Sequence, residues 1–151
     1  MNLNFYRFDL AWEIDRARDL VFDALTELED YPRWWPDYRE VRQLDESTVA
    51  IVLQSSLPYK LRITNRFLAN DRARGHFRLA IDGDIAGWID FALTDQGNGF
   101  TKVRITQECT AEKRLLRVLA PIGRRAFAYN HGLTMRRGRL GLSGLLSGEH
   151  H

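Results

Sequence analysis

The chain holds little that could do covalent or metal chemistry: one cysteine in 151 residues and four histidines, two of them at the very end. A lone cysteine forms no internal disulfide and builds no zinc or redox thiol pair, so Cys109 reads as a small buried apolar side chain. Also missing are a glycine-rich phosphate loop, a His-Glu-x-x-His pair and a Gly-x-Ser-x-Gly elbow, so neither cofactor nor metal is implied. No apolar run approaches the ~20 residues that cross a bilayer. Arg7, Asp9 and Glu13 interrupt the first fourteen residues, which argues against a secretory leader and for a cytoplasmic protein. His150 and His151 resemble tag residues, leaving His76 and His131 as the histidines able to reach a core.

An apolar fraction of 44% with 28% charged residues is that of an ordinary globule, and this length suits one domain, assigned to residues 1–145 with a tail at 146–151. The net charge of +2 is unevenly placed. Residues 1–112 hold 14 Lys/Arg against 19 Asp/Glu, 14 − 19 = −5, whereas residues 113–151 hold 8 − 1 = +7. Such a segment attracts phosphates or acidic lipid headgroups, although solvated arginines around an amphipathic helix give the same count. It carries no recognised docking motif and no interleaved stacking aromatics, so specific nucleic-acid binding is not expected, while weak contact with acidic membranes stays open.

The basic segment is itself the largest element. Leu115, Val118, Ile122, Ala126, Tyr129, Leu133 and Leu140 recur at helical spacing, which predicts a long helix over Lys113–Leu140 with a kink or restart at Pro121. Gly132, Gly138, Gly141 and Gly144 are expected to thin its packing and fray its end.

Everything before it reads as a sheet. Tyr6, Phe8, Leu10, Trp12 and Ile14 alternate with polar residues, a half-buried strand. Asp15 is a plausible cap for a helix from about Arg16 to Leu28. The prolines of Tyr31-Pro32-Arg33-Trp34-Trp35-Pro36-Asp37 permit at most a short helix, from which two adjacent tryptophans are not expected both to point inward. From Val41 to Thr110 strand-like runs follow one another with no helical period. Their turns fall at Asp45-Glu46-Ser47, Asn70-Asp71, Asp82-Gly83 and Gln96-Gly97-Asn98-Gly99, and Gly87 suggests a bulge or bend. The facing of Ile85–Leu93 is ambiguous, because Trp88 competes with Ile89, Phe91 and Leu93 for the inside. This order implies an α+β domain: a curved antiparallel sheet of about seven strands wrapped around a long C-terminal helix, with one or two short helices after the first strand.

Asp19-Leu20-Val21-Phe22 with Ala24-Leu25, Tyr31-Pro32-Arg33-Trp34-Trp35-Pro36, Gly87-Trp88, and Asn130-His131 through Met135, Gly138 and Gly141-Leu142 resemble the polyketide cyclase/dehydrase and lipid-transport family of the START-like (SRPBCC) superfamily. The resemblance spans nearly the whole chain. It implies a helix-grip fold with an apolar cavity between sheet and last helix, and members that bind or transform lipids, polyketides and other bulky hydrophobic molecules. The coenzyme-Q-binding branch is similar over the Tyr-Pro stretch, but usually carries cysteine and phenylalanine where this chain has Trp35 and Asp37. The superfamily shares no single catalytic constellation.

The candidate ligand-binding residues are polar groups that the alternation places inside, Asn65 and Gln107, joined by Tyr59, Phe67, Tyr129, His131 and Trp35. Buried amides need a neighbour, a water or a ligand. The expected cavity is lined by Phe67, Gln107 and Tyr129. Three functions fit: a binding or carrier protein for a small hydrophobic molecule; a cyclase or dehydratase in which His131, Asp90 or a tyrosine moves a proton; and an interaction module acting through the basic helix. Catalytic residues and oligomeric state stay unassigned.

Overall fold

The computed structural model describes residues 5–54, 60–112 and 123–148. Tyr59 and the predicted helical stretch 113–122 therefore lie outside the described residues. In chain order the elements are β1 (Phe5–Ile14), α1 (Arg18–Thr26), a 3₁₀ turn (Leu28–Asp30), α2 (Tyr31–Trp34), β2 (Tyr38–Gln43), β3 (Thr48–Leu53), β4 (Leu61–Asp71), β5 (His76–Gly83), β6 (Ile85–Gly97), β7 (Phe100–Ala111) and α3 (Arg124–Gly148). The strands form one antiparallel sheet in the order β1-β7-β6-β5-β4-β3-β2, so the first strand pairs with the last and the remainder is a meander. The curved sheet and α3 together form a helix-grip fold.

Local chemistry explains the strands. On β1, Tyr6, Trp12 and Ile14 are buried while Arg7, Asp9 and Glu13 face solvent, the period of two carried straight into the pleat. The Asp45 carboxylate accepts the Ser47 N–H at 2.9 Å and closes the β2–β3 turn. At the β6–β7 turn, Gly97, Asn98 and Gly99 all take positive φ, the conformation that glycine and asparagine tolerate best. The facing of β6 is settled by Ile85, Ile89, Phe91 and Leu93, which are buried, while Trp88 and Asp90 lie on the other face. Gly87 pairs in register with Ile81 and Cys109 and makes no bulge. The register shifts are instead at Tyr38/Glu40, Phe67/Ala69 and Asp95/Gly97.

The helices depart further from expectation. Asp15 does not cap α1, which starts at Arg18 after Ala17 with no side-chain cap. Trp34 and Trp35 are both buried, stacked 5.4 Å apart, because α2 lies beneath α3: the Trp35 indole meets the helix at Gly138 and the Trp34 carbonyl meets it one turn on at Gly141. Around them Trp12, Tyr31 and Tyr38 form one aromatic cluster, and the Tyr31 hydroxyl donates to the Leu25 carbonyl at 2.5 Å.

α3 continues past Leu140 to Gly148, and Leu146 is buried, so residues 146–148 belong to the helix rather than to a tail. Its inward stripe is Phe127, Met135, Gly138, Leu142 and Leu146. Tyr129 and Leu140, assigned inward by the apolar spacing, are 72% and 52% exposed, and Leu133 is only half-buried. Docking explains the rotation. A Cβ on Gly138 would lie 2.5 Å from Trp35 Cε2, and one on Gly141 would run into the Trp34 carbonyl, so the helix approaches through its glycines and turns its larger side chains aside.

Candidate functional site

Between α3 and the inner face of the sheet a cavity of about 90 Å³ remains. Ile63 of β4, Ile81 of β5, Ile85 and Ile89 of β6, and Phe127 and Met135 of α3 give it an apolar wall, and Trp35 closes the end nearest α2. It is smaller than the roughly 150 Å³ that admits benzene in an engineered cavity, so a bulkier guest requires side chains to move. Met135, with three flexible torsions, yields most readily.

Polar groups on this wall are few and mostly engaged. Asn65 spends its amide protons on the carbonyls of Thr64 and Ala80, at 3.1 and 3.3 Å. Gln107 Oε1 lies 2.8 Å from His131 Nε2, and the Gln107 amide points at Cys109 Sγ, 3.8 Å away. The imidazole stacks on Phe8, ring centroids 3.6 Å apart and nearly parallel. Burial lowers the His131 pKa to about 4, so at neutral pH the ring is uncharged and its Nε2–H donates to the glutamine oxygen. Burial likewise pushes the Cys109 thiol up to about 11, which keeps it protonated and unreactive.

Asp37, which sequence reasoning passed over, is 2% exposed at the cavity wall. Arg137 holds it with two bonds of 2.8 Å, and the Thr134 hydroxyl donates a third at 2.9 Å. Trp35 Nε1 donates to the Thr134 carbonyl at 2.9 Å, so the α2–β2 segment is fastened to a single turn of α3 by both a charge pair and an indole. The only sequence signal was Thr134 and Arg137 standing three apart on one helical face, with nothing to identify a partner 97 and 100 residues away.

Of the sequence candidates, Asn65, Gln107, His131 and Trp35 meet at the cavity. Phe67 does not line it: beyond Asn65 on β4 it packs towards Phe77, with centroids 6.2 Å apart. Tyr129 points into solvent, on the far side of α3. Asp90 is excluded from proton transfer in the cavity by its position on the outer face, where its carboxylate pairs with His76 at 2.6 Å and Arg78 at 2.9 Å. Among the described residues no cluster of three His, Cys, Asp or Glu is placed to hold a metal, and no helix is long and apolar enough to cross a membrane.

The neutral histidine has a measurable consequence. An unfolded-chain histidine titrates near pH 6.5, whereas the folded one takes up its proton only near pH 4. In the window between, the unfolded chain binds the extra proton, so stability is full above pH 6.5 and falls as the pH drops towards 4. Between pH 7 and pH 5 this site is expected to cost about 2 kcal/mol. Urea unfolding of the wild type and of His131→Gln should show the variant losing less over that interval; parallel losses would place His131 in solvent.

The family model described as polyketide cyclase/dehydrase and lipid transport matches residues 7–136. No curated protein matches the chain in sequence. Among solved structures, a conserved protein from Geobacillus kaustophilus is similar at TM-score 0.83 and 14% identity, covering 97% of this chain and 98% of the other. The ZhuI aromatase/cyclase from Streptomyces sp. R1128 is similar at TM-score 0.81 and 12% identity, covering 97% and 96%. A START superfamily protein from Mycobacterium smegmatis follows at 0.74 and 12%, covering 94% and 97%. At these identities the likeness is one of fold.

Proposed function

As the chain belongs to the polyketide cyclase/dehydrase and lipid-transport family, we propose that it is a cytoplasmic binding or carrier protein that holds a small, largely apolar molecule between the sheet and α3. The observation that carries this reading is the cavity itself, an apolar wall with a few amides and one neutral imidazole, the usual composition of a ligand pocket. Trp35 lies on that wall with Trp12 against it, so occupancy should alter tryptophan emission. Titration with long-chain and polycyclic probes is expected to give a saturable emission change and to displace an environment-sensitive dye. Ile89→Trp, which fills the cavity, should abolish both. Binding that survives this substitution places the ligand elsewhere.

A second reading, a cyclase or dehydratase using the same cavity, is favoured by one observation. His131 lies on the cavity wall with its Nε2–H held by Gln107 Oε1, which leaves the unprotonated Nδ1 as the ring's proton acceptor. It also draws on the aromatase/cyclase activity named for the Streptomyces structure. Turnover of a polyketide-like substrate that His131→Gln removes without loss of binding would establish it over the carrier.

A further inference from the structure

We infer that the cavity takes uncharged ligands, favouring those that bear a hydroxyl or carbonyl group, and rejects both ionised carboxylates, such as those of fatty acids, and ionised amines; this rests on the cavity being the binding site proposed above. Asp37 is the one charged side chain on its wall among the described residues. Both oxygens of that carboxylate are committed, Oδ1 to Arg137 Nε, and Oδ2 to Arg137 Nη2 and the Thr134 hydroxyl. Its charge is matched by a single guanidinium, so the pair offers no unpaired counter-charge to an incoming ammonium or to an incoming carboxylate. Among the described residues a carboxylate finds no free cation on the wall either, and the His131 ring is stacked on Phe8 and bonded to Gln107. An ion moved from water into such a site without a counter-ion pays a desolvation cost that nothing on the wall offsets.

Uncharged polar groups are received differently. Gln107 uses its oxygen on His131, but its amide has only the Cys109 sulfur, a weak acceptor at 3.8 Å, and so retains donor capacity. Asn65 is the complement: its amide protons go to two backbone carbonyls, and its Oδ1 receives no hydrogen bond among the described residues. Among the amides on the wall, Gln107 on β7 thus offers a donor and Asn65 on β4, three strands away, offers an acceptor; a hydroxyl satisfies either of them and a carbonyl satisfies the first.

The test is calorimetry at pH 7.5 with four probes of one skeleton, each larger than the resting cavity and so admitted only as side chains such as Met135 yield: ethylbenzene, 4-ethylphenol, 4-ethylbenzoate and 4-ethylbenzylammonium. The phenol should bind more tightly than ethylbenzene, and both ions at least about 100-fold more weakly than the phenol. Gln107→Leu and Asn65→Leu together should reduce the phenol-to-ethylbenzene affinity ratio about tenfold. That ratio is read within one variant, so it does not depend on the variant's stability. An ion binding within tenfold of the phenol, or a ratio unmoved by the double substitution, overturns the inference and leaves cavity binding intact. Failure of all four probes to bind overturns both.

Discussion

Arg137→Ala is expected to destabilise the protein by about 3 to 5 kcal/mol, among the largest effects of any single substitution in it. The Asp37 side chain is 2% exposed while that of Arg137 is 33% exposed, so the pair is asymmetric. Removing the arginine leaves a buried carboxylate with one hydroxyl donor, whereas removing the aspartate leaves a guanidinium that can turn to water. Asp37→Ala should therefore cost measurably less. Replacing both partners with apolar residues of similar volume, Asp37→Leu with Arg137→Met, should recover much of the loss, because the desolvation of the pair disappears with it. Urea unfolding of Asp37→Leu, Arg137→Met and the double variant completes a cycle, with the two alanine variants measured beside it. A loss below about 1 kcal/mol for Arg137→Ala would mean the pair behaves as an exposed one and does not fasten α3 to the α2–β2 segment.

The second expected result is a reversal of sign within one helix. Alanine is better than glycine in a helix interior by about 1 kcal/mol, and Gly132 and Gly144 have nothing within 4 Å of an added Cβ. Gly132→Ala and Gly144→Ala should each raise stability by about 0.5 to 1 kcal/mol. Gly141→Ala should lower it by about 1 to 3 kcal/mol, since its Cβ would collide with the Trp34 carbonyl oxygen and lie 2.9 Å from the carbonyl carbon. A backbone carbonyl does not swing aside as a side chain does. Gly138→Ala meets the Trp35 ring, which cannot rotate away without breaking its bond to the Thr134 carbonyl. If Gly141→Ala stabilises as Gly144→Ala does, α3 does not rest on α2 as described. Thermal midpoints of the four variants decide the matter.

What the sequence by itself determined is the sheet. A period of two and a turn of Gly, Asn and Asp are properties of consecutive residues, and the backbone obeys them wherever the strand lies, so β1 and the β5–β6 and β6–β7 turns were legible. The family resemblance was legible too, because short apolar motifs survive in the chain order. The rotation of α3 was not. Hydrophobic spacing assumes that the largest apolar residues face the core, but this helix approaches α2 so closely that only glycine fits, and Tyr129 and Leu140 are left outside. The adjacent tryptophans were misjudged for the same reason, since Gly138 leaves room for the Trp35 indole and Gly141 for the Trp34 carbonyl. At the site, Asn65 and Gln107 could be read as inward from alternation alone, whereas Asp37 could not, because its partners lie about a hundred residues away and charge pairing has no period. The cavity belongs wholly to the tertiary structure: it is space left between α3 and a curved sheet, lined from every strand of that sheet, the α2–β2 segment and α3, and no residue encodes it singly.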